Sequence, residues 1–443
     1  MDDIERFENL LDDFDLSVRK GAYLKLLEMA QRGDVPFSSP TPRVNLHFHT
    51  FFSFNAYGYS PLHIVWRARR EGLAIAGSVD FDVLDAMDEF SWAGLEIGLP
   101  TTSGLETRIF LPEYHDRELS SPKEPGVAYY MGNGFIRLPE KGTEAEETLH
   151  FLKETAQGRN RKVIARVNTF LSPVQIDLEK DVLPLAPSAN PTERHMNKAY
   201  DLAAERVFPD PNQRAVFWSE KLGISTEKVL LYFHNKPDFY DIMRAKLMKF
   251  GGIGYVKPDI GDFPDIGRVN RMIRELGATP SFSWLDGTRS GEANSRELLH
   301  FCVEKGVETL FIVPDRNWDL PDEKERTMKL RNLYEIVTEA KKMDFPIFVG
   351  TELNKYGQKF VDEFDSPALT PLAPYFLESA WLLWGHSVLE RSSRGYASEW
   401  ARNQFRTRSE RNSFFARIGK TTLAVPEEIT RLNTLSTEQL LNK

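Results

Sequence analysis

Cysteine is nearly absent from this chain of 443 residues: Cys302 stands alone, so no internal disulfide braces the fold. Long apolar runs are missing too. The richest stretch near the end, Ser379-Ala380-Trp381-Leu382-Leu383-Trp384, falls far short of the roughly 20 residues a bilayer span requires, so no membrane role is expected. Basic blocks are lacking: net charge is −9, with acidic and basic residues mixed along the chain, which argues against a nucleic-acid partner. The start, Met1-Asp2-Asp3-Ile4-Glu5, has neither the basic nor the apolar region of a signal peptide, so a cytoplasmic protein is expected. No repeat or low-complexity segment is evident. What remains, 41% hydrophobic and 27% charged, suits one large soluble domain with decorations or two to three ordinary ones.

Histidine is scarce, which makes its placement informative. Nine in 443 residues predict on the order of 0.2 His-x-His pairs by chance, yet Val44-Asn45-Leu46-His47-Phe48-His49-Thr50 contains one. On a strand, residues i and i+2 share a face, so two imidazoles converge without a bend and can grip a metal ion.

Residues 1 to about 33 read as helical and, with the breakers Pro36, Pro40 and Pro42, form an N-terminal brace over 1–42. A β-α-β unit follows: the histidine strand, a helix opened by Ser60-Pro61 and stopped by Gly72, and the strand Leu73–Val79. A helix over 83–93 leads to a short strand, Thr102–Leu105, ending at Glu106. Strands and helices then continue to alternate, which favours a parallel sheet with helices outside. Residues 116–230 fit that rhythm less well and read as an α/β insertion, with a helix near 143–157, a strand Lys162–Val167, and a helix capped at Asn190 with Pro191 at its first position. Alternation resumes over 231–365, with strands at 253–256, 279–284, 309–313 and 346–350; 366–443 reads as a helical tail.

The candidate polar residues fall just after the apolar part of successive strands: His47 and His49, Asp80 and Asp82, Glu106, Trp284 and Asp286, then Glu352 and Asn354. In a parallel barrel those positions gather at one mouth, where α/β barrels carry their active sites. Two imidazoles and two carboxylates from different strands suit zinc, manganese or iron. A lone Glu106 or Glu352 reads as easily as a solvated or salt-bridged loop carboxylate. Arg108 is spaced to offer a guanidinium to an anionic substrate, or to pair with a rim carboxylate.

In order and spacing, His47-Phe48-His49-Thr50, Ser53-Phe54, Ser60-Pro61, Val79-Asp80-Phe81-Asp82 and Gly104-Leu105-Glu106 resemble the motifs of the polymerase and histidinol phosphatase family, the PHP domain, over 43–115 and 250–365. That resemblance implies a distorted TIM-like (β/α)7 barrel and metal-dependent phosphoester hydrolysis. It maps one metal site onto His47, His49, Glu106 and Glu352. Arg194-His195, Phe282-Ser283-Trp284 and Gly350-Thr351-Glu352-Leu353-Asn354 resemble the later motifs. A second site would use Glu106 and His195, with Ser283 where the family has a histidine. The third would need ligands where Phe54, Phe81 and Asn354 stand, and neither phenylalanine binds a cation. His195, in a helix's first turn, tends to stay neutral, which suits a ligand and equally an ordinary surface histidine. His63, His234 and His386 read more readily as packing or surface residues.

The expected activity is a metal-dependent hydrolase acting on a small phosphorylated or sugar-like substrate, with one divalent ion and room for a second. Asp80 or Asp82 would serve as general base and Arg108 would neutralise developing charge. The other expectation is an altered, inactive metal-binding relative with a ligand-binding or structural role, motivated by Phe54, Phe81 and Trp284.

Overall fold

The computed structural model describes residues 3–257 and 260–443. They form two compact units, one comprising residues up to Thr50, Asn55–Leu149 and Pro264–Lys443, the other Phe51–Phe54 and His150–Phe263.

The first unit holds a seven-stranded sheet whose spatial order follows the chain: β1 (Val44–Phe48), β2 (Ile75–Phe81), β3 (Thr101–Phe110), β4 (Val127–Asn133), β5 (Thr279–Trp284), β6 (Thr309–Ile312) and β7 (Ile347–Val349). A parallel bridge between Phe48 and Glu352 brings the last strand's extension back to the first, giving a nearly closed, distorted TIM-like barrel. β1, β2 and β3 run parallel, as do β5, β6 and β7. Parallel neighbours need crossovers, supplied by helices such as Pro61–Arg70, Met87–Ile97, Ser295–Glu304 and Glu323–Lys342. β4 departs from the expected parallel pattern and pairs antiparallel with both β3 and β5. It lies at 127–133, within the stretch read from sequence as insertion, where Gly- and Asn-rich ends obscured a strand.

Local signals set the helix boundaries. Ser60 caps Pro61–Arg70 by accepting from His63 N, with Pro61 at the first position. Gly98, at φ 71°, ends Met87–Ile97 in the left-handed conformation that favours glycine. Before the barrel, helices Asp3–Leu10 and Leu16–Gln31 cover the next two: Tyr23 donates to Ala93 O (2.8 Å) and Trp66 to Glu8 (2.7 Å). Met1 and Asp2, read as part of this brace, lie outside the described residues. At the other end Ala373–Leu389 crosses Arg408–Thr421 at Gly385 and Gly419, where a Cβ would collide with the facing carbonyls of Phe415 and Trp381.

The described residues of the second unit are helical, without a strand, which corrects the strand expected at Lys162–Val167; the stretch 116–230 keeps its mixed character through β4. The stretch Lys162–Val167 lies inside the helix Glu144–Leu171. Val163, Ile164, Val167 and Leu171 recur at helical spacing and are buried with Tyr200, Trp218 and Phe239, so the period, rather than the β-branched content, decided the element. Residues 253–256 are a turn and coil rather than a strand. The helix Glu193–Val207 is capped by Thr192, not Asn190: Thr192 accepts from Arg194 N, and the His195 side chain closes a capping box.

Candidate metal centre

β1 delivers the histidines through a local irregularity. Its register against β2 shifts between Asn45 and Phe48, and within that shift His47 N donates to the Asn45 side chain (2.9 Å). Asn45 in turn donates to Thr351 Oγ1 (2.7 Å) and Phe360 O (2.9 Å), tying β1 to the segment after β7. His49 is held through its backbone: its N–H donates to Glu352 O (2.8 Å), and its carbonyl accepts from Asn55 (2.8 Å). Asn45 lies outside the residues the sequence pattern singles out, because its partners Thr351 and Phe360 are more than 300 positions away.

Glu106 meets this pair from β3. His47 Nε2 and His49 Nε2 are 3.3 Å apart, and they lie 3.4 and 3.3 Å from Glu106 Oε2. All three side chains are buried, and they are the group of metal-ligating type that draws together among the described residues. Donors placed tetrahedrally at about 2.05 Å from an ion are separated by roughly 3.3–3.4 Å, so the triangle has the size of three corners of a zinc-like shell. The two imidazole–carboxylate contacts lack good hydrogen-bond geometry, and Glu106 Oε2 is left buried without a donor among the described residues. A cation satisfies that atom and both imidazole lone pairs together, so the residues fit a divalent ion. Burial works to raise the Glu106 carboxyl, but the two facing imidazoles outweigh it and hold it at about 2, the ionised form a ligand needs. His47 Nδ1 has no hydrogen-bond partner among the described residues.

The remaining candidates occupy different positions. β2 pairs with β3 so that Phe81, not Asp80, stands opposite Glu106. Strand alternation therefore puts Asp80 on the other face. Its carboxylate accepts from Thr50 N (2.9 Å) and Thr50 Oγ1 (2.7 Å), anchoring the turn after the histidines. Phe81 lies against the His49 ring, centroids 4.3 Å apart and 30° between planes. Asp82, at φ 60°, accepts from Thr107 Oγ1 (2.6 Å) and donates its backbone N–H to Glu106 O (2.9 Å). Burial raises its carboxyl to about 6, against the pull of Thr107 and Arg108. Arg108 follows Glu106 by two residues on the same strand face and pairs with Glu124 at 3.1 Å.

Glu352 is buried, but its carboxylate stands outside the three-residue group: Arg316 Nη2 reaches it at 2.5 Å and Gln358 Nε2 at 3.3 Å. Its backbone, at φ 71°, forms the bridge to Phe48. Ser283 Oγ and Trp284 Nε1 are both buried without hydrogen-bond partners among the described residues. Asp286 pairs with Lys329 at 3.0 Å.

His195 belongs to the second unit. Its Nδ1 accepts from Thr192 N (3.0 Å), the Phe54 ring meets it edge-on with centroids 5.2 Å apart, and burial lowers it to about 3, keeping it neutral. His63 pairs with Asp12 at 2.8 Å; His386 is buried between Gly134 O and Tyr396 N, a packing role.

No family model matches the chain, and no curated protein does. Among solved structures it is similar to an amidohydrolase from Chromobacterium violaceum, at 13% identity and TM-score 0.47 over 71% of this chain and 88% of that one. It is also similar to a candidate metal-dependent phosphoesterase from Bifidobacterium adolescentis, at 17% identity and TM-score 0.48 over 74% and 94%. Both likenesses are too distant to transfer a function.

Proposed function

We propose that this protein is a metal-dependent hydrolase, phosphoesterase-like, acting on a small phosphorylated or sugar-like molecule. The observation that carries the reading is the triangle of His47, His49 and Glu106, with sides of 3.3–3.4 Å and an otherwise unsatisfied buried carboxylate oxygen at one corner. Zinc, manganese or iron suits two imidazoles and a carboxylate. Bound there, such an ion supplies Lewis acidity and makes water acidic enough to act as a nucleophile near neutral pH. The chain's own residues hold the ligands in place: Asn45 orients His47, Thr50 and Asp80 fix the turn beyond His49, and Asp82 N–H ties β2 to Glu106. Both aspartates are held by threonine hydroxyls, Asp80 by Thr50 and Asp82 by Thr107; the Asp82 carboxyl, raised by burial to about 6, is the better matched to a general-base role. Arg108, held at the Glu106 face by Glu124, is the residue for neutralising an anionic substrate.

A second reading, a metal-binding relative without turnover, is favoured by one feature. Phe81 covers the His49 ring where a multi-metal phosphoesterase needs ligands, and phosphoryl transfer gains most from several cations.

Elemental analysis of protein purified without chelator tests the metal reading. About one equivalent of a divalent transition metal is expected, lost in His47→Ala and in Glu106→Gln; absence of metal, or metal retained in both variants, overturns it. With metal present, a phosphatase screen supplemented with manganese or zinc separates the two readings: turnover abolished by Glu106→Gln supports the hydrolase, and uniformly blank assays support the second.

A further inference from the structure

Away from the histidine group, the first unit has an open cavity of about 780 Å³ between the short helix Asp315–Trp318, one face of the helix Glu323–Lys342, and the segment at 367–368. That volume falls within the roughly 300–1,000 Å³ typical of small-molecule sites. Its walls are of two kinds. Trp318, Leu330 and Tyr334 provide an apolar surface, and Tyr334 is fixed by donating to Ala368 O (2.9 Å). Arg326 and Arg331 line the same space. At about 100° per residue they flank the Leu330–Tyr334 stripe on the helix, one on each edge.

These two guanidiniums stand out in a chain of net charge −9. Asp322 precedes Arg326 by four residues and Glu335 follows Arg331 by four, the spacing of helical ion pairs. Neither pair forms. Among the described residues, Arg326 donates to Leu320 O and Arg331 to the Asn332 side chain, both at a marginal 3.4 Å. The acid in the lining, Asp319, pairs at 2.7 Å with Lys359, which it shares with Glu363 at 2.8 Å, and Lys359 also sits 4.8 Å over the Trp318 ring. The cavity therefore combines an apolar wall with two cations that have no carboxylate partner among the described residues, Asp319 being held at its other end by Lys359.

We propose that this cavity binds a small amphipathic anion, an apolar ring or chain bearing a carboxylate, sulfonate or phosphate head. The body lies on Trp318, Leu330 and Tyr334, and the head is taken by Arg326 and Arg331, whose planar donors suit such oxyanions. None of these residues is in the His47, His49 and Glu106 group, so the site stands independently of the metal reading.

Isothermal titration of the full chain with naphthalene-1-sulfonate, octanoate and inorganic phosphate tests this. Saturable one-to-one binding is expected for the sulfonate or the octanoate, and which of them binds distinguishes an aryl from an acyl body. Inorganic phosphate, lacking a body, is expected to bind at least tenfold more weakly. Affinity should fall at least tenfold in Arg326→Gln/Arg331→Gln, fall with added salt, and survive chelator treatment. The single reversal Arg331→Glu, at an exposed position, provides a second variant with the same expected loss. No saturable binding of either amphipathic probe, affinity unchanged in a folded variant, or phosphate binding as well as the larger anions would overturn the proposal.

Discussion

Single side chains here are governed by what burial leaves them to bind. Glu106 is ionised because two imidazoles outweigh its desolvation. Glu292, in the loop after β5, shows the opposite balance: it accepts from the backbone N–H groups of Leu285 (2.9 Å), Asp286 (3.3 Å) and Gly287 (3.2 Å), yet burial raises it to about 7 from the ordinary 4.5, with Asp286 adding to the rise. Lys329 faces Asp286 and tempers that repulsion. Because the folded pKa lies above the unfolded one, the folded state binds the extra proton between those values. Stability from this group is therefore full below about 4.5 and declines as pH rises towards 7. A shift of this size corresponds to on the order of 3 kcal/mol. Denaturant titrations across pH 4.5–7 should show that decline in the native protein and a much flatter profile in Glu292→Gln; parallel profiles would remove Glu292 as the cause.

At the scale of elements, the centre depends on how closely β7 approaches β1. Gly350 has no room for a side chain: a Cβ there would lie 2.4 Å from Asn45 Oδ1 and 2.5 Å from His47 N. Gly350→Ala should push Asn45 and His47 aside, costing about 1–3 kcal/mol as overpacking does and weakening metal retention. Paired unfolding curves and metal content check both effects, and a variant of native stability with full metal would contradict this account. The elements themselves were unevenly legible in the sequence. The His-x-His strand, the Ser-Pro helix start and the crossovers follow from periodicity and capping. β4 was hidden, because an antiparallel strand among parallel ones depends on partners far along the chain. The false strand at Lys162–Val167 rests on the short apolar stretch Val163-Ile164-Ala165, taken without the helical spacing that continues to Leu171.

For the whole molecule, the N-terminal helices are tied to the barrel by a buried ion pair. Arg19 grips Glu89 with both ends of its guanidinium, Nε at 2.8 Å and Nη2 at 2.6 Å, and also donates to the carbonyls of Asp13 and Phe14. Both side chains are 4–6% exposed, so removing one partner strands a charge in the interior. Arg19→Ala should destabilise the unit by about 3–5 kcal/mol, whereas replacing both residues with methionine should recover much of it. Denaturant midpoints for the single and double variants decide this; equal losses in both would show that the pair contributes only packing. Among the described residues no helix is long and apolar enough to cross a membrane.

The sequence by itself determined the pieces that rest on local rules: the alternation of strands and helices, the pairing of His47 with His49 on one strand face, and the delivery of Glu106 from another strand. Each depends only on periodicity or on the preceding residues. The tertiary structure alone decided which candidates meet. Glu106 converges with the histidines, while register puts Phe81 rather than Asp80 opposite it, and Arg316 holds the Glu352 carboxylate elsewhere. Those outcomes turn on one-residue register and on partners tens of positions away, 36 between Arg316 and Glu352, which no local pattern encodes.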